Sequence, residues 1–340
     1  MARESLVLMK NNQQTLPIER QERLLVVGPL ADSKEDMLSS WKGLGEAQEV
    51  VTVLEALRAR SKGIPKPKSK TKSMSVDYAK GCEIQRDGQP HQDDQRLIAE
   101  AVRKARQAEI IIAVVGERAD QSGEAKNRTR LDLPGSQLDL VRALAATGKP
   151  VVAVLITGRA LAVPELVKSV QALLHTFVPG IEAGNAVADV LLGDFNPGGK
   201  QPVTWPRSVG QVPIQHYDQP NGRPNIPERS DYKARWLDED VTPLFPFGHG
   251  LSYTRFGLAQ LEIPAQLSLG ENLNIRVRVR NEGNRAGSAV VQLYIKPRVA
   301  STVTARRLQG YQRLQLDPGQ ERWVDFSSTR RRPAYPQRPG

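Results

Sequence analysis

Cysteine is almost absent from this sequence. The single thiol in 340 residues, Cys82, excludes an internal disulfide. It follows an alternating run and has no histidine beside it, so it reads as a small buried apolar side chain rather than a reactive nucleophile. The four histidines, His91, His175, His216 and His249, are scattered, and no pair has metal-ligand spacing. No apolar run approaches the roughly 20 residues that span a bilayer, which argues against a transmembrane helix. The opening segment, MARESLVLMKNNQQTLP, has neither the long apolar region nor the small-residue cleavage site of a signal peptide. The expectation is a cytoplasmic chain, or one whose true N-terminus lies upstream. Nucleotide fingerprints are missing too. Gly198-Gly199-Lys200 lacks the GxxxxGK[ST] pattern of a phosphate loop, and Gly43-x-Gly45 lacks the third glycine of a dinucleotide site.

Basic charge is in surplus. Lys and Arg number 48 against 37 Asp and Glu, a net charge of +11. That balance raises a nucleic-acid reading. The surplus is local, however. One part is Lys62, Lys66, Lys68, Lys70 and Lys72, and another is Arg330-Arg331-Arg332. Neither run is interleaved with aromatics, so solvated loops and a solvated tail are the preferred reading. Hydrophobic residues make up 39% and charged residues 25% of the chain, a globular composition.

Short all-apolar runs alternate with amphipathic stretches over the first two hundred residues. Residues 1–12 read as helical, ended by Pro17. Leu24–Val27 is a buried strand stopped by Gly28-Pro29. Thr52 and Glu55 form a capping-box pair ahead of a helix. Residues 74–79 alternate as a strand, and residues 93–107 carry apolar side chains at helical spacing. Ile111–Val115, Val151–Ile156 and Ala172–Phe177 are further strands, with helices over 137–146 and 182–192. This is the pattern of a mostly parallel sheet covered on both faces. Residues 205–257 have no clear period, and their aromatics, among them Trp205, Tyr217, Trp236 and Phe245, require burial against the preceding elements. From about 258 the period becomes two. Leu273, Ile275, Val277 and Val279 alternate with polar residues, and 289–295, 307–316 and 322–326 are further strands, an antiparallel β-sandwich signature.

The chemistry concentrates in the loop after Ile111–Val115. It opens at Gly116 and closes at Pro134-Gly135. It holds two carboxylates, Glu117 and Glu124, and the basic residues Arg118, Lys126, Arg128 and Arg130. A charged loop between a buried strand and a helix is where open α/β sheets place ligands, at the carboxyl ends of the strands. From these residues alone, two solvated loop glutamates remain the simplest reading.

Seven ordered segments together carry a resemblance. They are ESLVLMKNNQQTLPI at 4–18, VVGPLADSKEDMLSSW at 26–41, VVGERADQSGEAKNRTRLDLPGSQLDLVRAL at 114–144, TGKPVVAVLITGRAL at 147–161, the stretch VPGIEAGN…SVGQVP at 178–213, PLFPFGHGLSYTRF at 243–256 and GSAVVQLYIKP at 287–297. Their sequence resembles glycoside hydrolase family 3, and within it the bacterial periplasmic β-glucosidases. The resemblance implies an α/β sandwich domain over 1–210 and an irregular connection over 211–257 packed on it. It further implies a fibronectin III-like antiparallel β-sandwich over 258–327, incomplete, with a disordered tail over 328–340. The family's TIM-like barrel, which carries the aspartate nucleophile, has no match here, so the chain alone is expected to be nearly inactive.

In the same terms, Glu124 matches the family's acid/base position in Ser122-Gly123-Glu124-Ala125. It would act opposite a nucleophile about 5–5.5 Å away in a retaining mechanism. Glu117 is the less favoured carboxylate and reads as a supporting residue, pairing Arg128 or Arg159. Arg128 is a candidate for substrate binding, or a partner that sets the protonation of Glu124. Trp41 is either a sugar-stacking wall or a core residue, and both readings stay open. Asp120, Trp236 and His249 are weaker candidates. The resemblance implies no metal or cofactor, a β-glucoside or oligosaccharide substrate, a barrel domain in cis or in trans, and a periplasmic or secreted location for the intact enzyme. The alternative is a non-catalytic carbohydrate-binding or interaction module.

Overall fold

A computed structural model of the chain describes residues 1–19, 22–62, 74–217, 236–268, 271–296 and 306–329. Lys66, Lys68, Lys70 and Lys72, the arginine run at 330–332 and the tail beyond it lie outside the described residues. The chain divides into two compact units, Met1–Ser252 and Tyr253–Gly340.

The first unit is built on a six-stranded sheet. Its strands are β1 (Val7–Asn11), β2 (Arg23–Val27), β3 (Ser75–Ala79), β4 (Ile110–Gly116), β5 (Val151–Ile156) and β6 (Ala172–Phe177). They lie in the order β1-β6-β5-β4-β2-β3. All neighbours pair in parallel except β1, which runs antiparallel to β6. Every residue of β4 and β5 is buried, which is why these strands read as unbroken apolar runs instead of alternating. The helices are α1 (Ala2–Ser5), α2 (Lys34–Leu38), α3 (Val53–Lys62), α4 (Asp94–Ala105), α5 (Gln137–Ala145), α6 (Pro164–Ser169) and α7 (Ala183–Leu191). At the start of α3 the Glu55 amide donates to Thr52 Oγ1 at 3.1 Å, and the Thr52 amide donates to Glu55 Oε2 at 2.9 Å. This is the capping box expected from the sequence.

The N-terminal segment corrects the helical expectation for residues 1–12. Only Ala2–Ser5 is helical. Val7–Asn11 is a strand, with Val7 opposite His175 and Asn11 opposite Ala172. The reason is packing. Leu6, Val7, Leu8 and Met9 are all buried in succession, so no polar face is available for an amphipathic helix.

In the 205–252 stretch, Trp205 is fully buried and pairs through its backbone with Phe245. Its indole N–H donates to Gln201 Oε1 at 3.1 Å, and Gln201 Nε2 lies 2.9 Å from His175 Nδ1 on β6. Trp205 and Phe245 thus find burial against the sheet, whereas Tyr217 and Trp236 remain about half exposed.

Among its described residues the second unit has five strands: β7 (Phe256–Glu262), β8 (Asn272–Asn281), β9 (Gly287–Ile295), β10 (Arg307–Leu316) and β11 (Glu321–Thr329). They form a three-stranded sheet, β11-β8-β7, and a two-stranded sheet, β10-β9, with every pairing antiparallel. Ile275, Val277 and Val279 face inward against Ala289, Val291, Leu316, Val324 and Phe326, while the arginines between them face out. The fold is therefore a mostly parallel-sheet α/β domain followed by an antiparallel β-sandwich.

Candidate active site

Three loops meet at the carboxyl ends of the parallel strands: those after β2, β4 and β5. The loop after β4 begins at Gly116, whose φ of 147° and approach to the Ile156 carbonyl leave no room for a side chain. A Cβ there would lie 1.8 Å from that oxygen. This close parallel pairing of β4 with β5 carries Glu117 into the interior, where it is 3% exposed.

Glu117 is the centre of a buried ionic cluster. Its Oε1 accepts from Arg128 Nη1 at 2.9 Å and lies 3.1 Å from Arg159 Nε. The Thr157 hydroxyl donates to its Oε2 at 2.5 Å and accepts the Arg159 amide at 3.2 Å. A buried carboxylate is tolerated only when paired and hydrogen-bonded in this way. The two arginines then hold the rest of the loop. Arg159 Nη2 donates to the carbonyls of Gln121 at 2.5 Å and Lys126 at 2.9 Å. Arg128 Nη2 donates to the Asp132 carbonyl at 3.2 Å. Arg128 therefore pairs with Glu117, not with Glu124.

Glu124 sits at the tip of the segment these contacts enclose. The Lys126 amide donates to the Gly123 carbonyl at 3.2 Å, closing a tight turn with Glu124 at its second position. The flanking residues adopt positive φ, 131° at Gly123 and 57° at Ala125. Glu124 is exposed, and its carboxylate has no hydrogen-bond or ion-pair partner among the described residues.

The loop after β2 packs beside this turn. Trp41 is 68% exposed, so it is not a core residue. A Cβ on Gly123 would lie 3.0 Å from its Nε1, which places the indole against the Glu124 turn. Ser40 Oγ lies 2.5 Å from the carbonyls of both Ala119 and Ser122 and can donate to either. The Ala119 amide donates to Asp36 Oδ1 at 2.8 Å. Trp41 and Glu124, distant in sequence, are thus neighbours in the fold. Ser40, Asp36 and Thr157 had no sequence signal of their own, because their roles depend on contacts across some 40 to 80 residues.

The weaker candidates are occupied elsewhere. Asp120 receives both Arg118 Nε and Nη2, at 3.0 and 3.2 Å. His249 Nε2 lies 2.8 Å from the Met9 carbonyl, and burial pushes the imidazole below its ordinary value. Trp236 is 41% exposed.

The sequence model of the Glycosyl hydrolase family 3 C-terminal domain matches residues 6–253. The chain belongs to glycosyl hydrolase family 3. A Fibronectin type III-like domain matches residues 289–339. The chain is similar to the periplasmic beta-glucosidase of Salmonella typhimurium, with 39% identity across 96% of this chain and 44% of that protein. It is also similar to a beta-xylosidase of Formosa agariphila, with 34% identity across 96% of this chain and 43% of that protein. Its fold matches the crystal structure of a beta-glucosidase from Listeria innocua in complex with isofagomine, at a TM-score of 0.86 and 31% identity, over 96% of this chain and 43% of that one. This family 3 chain thus spans less than half the length of these relatives. Among the described residues, no helix is long and apolar enough to cross a membrane.

Proposed function

We propose that this chain supplies the acid/base half of a retaining β-glycosidase site, acting on terminal β-D-glucosyl residues. The observation that carries the proposal is the Glu124 turn: an unpartnered, exposed carboxylate held on a pinned loop beside an exposed tryptophan. Glu124 protonates the glycosidic oxygen as an aspartate on the family's barrel domain attacks C1, which releases the aglycone and leaves a glycosyl-enzyme ester. The Glu124 carboxylate then takes a proton from the water that attacks C1, which frees the sugar and restores both residues. Trp41 offers a flat apolar wall to a pyranose ring next to the proton donor. Arg128 and Glu117 support the loop. The domain limits expected from the resemblance, with the α/β part over 1–210 and the fibronectin III-like part over 258–327, belong to the same proposal. The Salmonella relative's name supports a periplasmic location for the intact enzyme.

The test pairs this chain with a nucleophile-bearing domain, for instance by replacing the matching segment of the Salmonella protein with residues 1–340. Glu124→Gln is expected to lower kcat on an alkyl β-glucoside by about 10²–10⁴-fold. An unchanged kcat would reject the assignment. The 340-residue chain alone is expected to show no turnover of an aryl β-glucoside. A second reading, a non-catalytic carbohydrate-binding module, is favoured by the exposure of Trp41 alone. It predicts sugar binding that Trp41→Ala abolishes, with no turnover in the joined protein.

A further inference from the structure

We infer that Arg159 is a positioning residue for the proton donor, fixing the Glu124 turn from beneath while Glu117 fixes Arg159. The inference rests on the acid/base reading of Glu124. The turn has no regular secondary structure of its own, and its positive-φ residue Ala125 has no intrinsic preference for that conformation. Something outside it must hold it. One guanidinium nitrogen, Arg159 Nη2, binds the Gln121 and Lys126 carbonyls, which bracket Glu124 at both ends of the turn. The same guanidinium forms an ion pair with the buried Glu117, whose Oε1 lies 3.1 Å from Nε without a hydrogen bond between them. Thr157 locks the assembly, since its hydroxyl accepts the Arg159 amide and donates to Glu117.

The chain of contacts runs from the β4 terminus through Glu117 and Arg159 to the Glu124 turn. Arg128 shares Glu117 but reaches forward to Asp132, so it braces the outgoing arm of the loop and not the turn. The two arginines therefore have separable roles. Lysine at position 159 can keep the charge beside Glu117, but an ammonium has no planar fork with which to hold Glu117 and two carbonyls together. On this account Arg159 never touches the reacting atoms. It determines how often Glu124 points where a leaving oxygen will be, and misplacing a catalytic group by about 1 Å can cost about 10²-fold in rate.

Two measurements test this. In the 340-residue chain, Arg159→Met is expected to speed hydrogen exchange at the Lys126 amide, which closes the turn, by more than it speeds exchange in β4 and β5. In the protein joined to a nucleophile domain, Arg159→Met is expected to lower kcat on an alkyl β-glucoside by about 10²-fold. KM should change little, and kcat/KM on 2,4-dinitrophenyl β-glucoside should be nearly untouched, because that leaving group needs no proton. Arg159→Lys is expected to fall between wild type and Arg159→Met. Equal losses on both substrates, or an unchanged Lys126 amide, would overturn the inference in favour of a merely structural role. Glu124→Gln in the same assay separates the two claims. If it impairs the alkyl substrate and Arg159→Met does not, only the positioning role fails. If Glu124→Gln is silent, the acid/base reading fails and the inference with it.

Discussion

At the scale of single residues, two glutamates seven positions apart have opposite environments. Glu117 is buried against two guanidiniums and a hydroxyl, and Glu124 is exposed with no ion-pair partner among the described residues. Replacing Glu117 by Gln keeps the volume but leaves the partly buried Arg159 without a counter-charge, and Arg128 with only the longer contact to Asp132, 3.8 Å away. We predict a loss of about 3–5 kcal/mol in unfolding free energy, measured by denaturant titration. Trp41 is the converse case. Trp41→Ala is expected to change stability by less than about 0.5 kcal/mol, because the side chain is mostly exposed. Any sugar-induced change in the fluorescence of the chain should be lost with it. His175 carries a pH prediction. Burial pushes its imidazole down to about 4, with Gln201 at its Nδ1. A folded value below the ordinary 6.5 means the unfolded chain binds the proton first. The stabilisation is therefore complete above about pH 6.5 and is lost as the pH falls toward 4, by roughly 3 kcal/mol. Denaturation midpoints of wild type and His175→Gln across that interval check it, with a shallower decline expected for the variant.

At the scale of elements, what could be read from the sequence follows burial. The runs Ile110–Gly116, Val151–Ile156 and Ala172–Phe177 announced themselves because both sheet faces are covered and almost every position is apolar. The Thr52–Glu55 cap was legible because its two residues are local. Thr52→Ala is expected to cost about 1 kcal/mol, read from the thermal midpoint. Other elements hid for physical reasons. The edge strand Val7–Asn11 has a contiguous apolar run whose partner, β6, is some 165 residues away. Strand Phe256–Glu262 is largely exposed on both faces and shows no alternation. Helix Pro164–Ser169 is too short for a period. The site was legible in part. The Gly116–Gly135 loop stood out by its charge, and the exposure of Trp41 removes the core reading that the sequence left open. The Ser40, Asp36 and Thr157 contacts were not legible, since no local pattern records which backbone groups from separate strand ends will meet.

At the scale of the whole molecule, this family 3 chain covers about 44% of the Salmonella relative's length. A proton donor has a reaction to catalyse only opposite a nucleophile, and the proposed aspartate belongs to the family's barrel. Within the chain, the sheet gathers the loops after β2, β4 and β5 at one end, so the exposed Trp41 and the Glu124 carboxylate are presented together. The sandwich strands β7–β11 contribute a separate core. The most direct test of the central claim uses the Glu124→Gly variant of the joined protein with 2,4-dinitrophenyl β-glucoside and sodium azide. Glycosylation needs no acid with this leaving group, and azide needs no base to attack the glycosyl-enzyme. Our account predicts slow turnover that azide restores, with β-glucosyl azide as the product. Undiminished activity of Glu124→Gly without azide, or no glucosyl azide at any azide concentration, would contradict it.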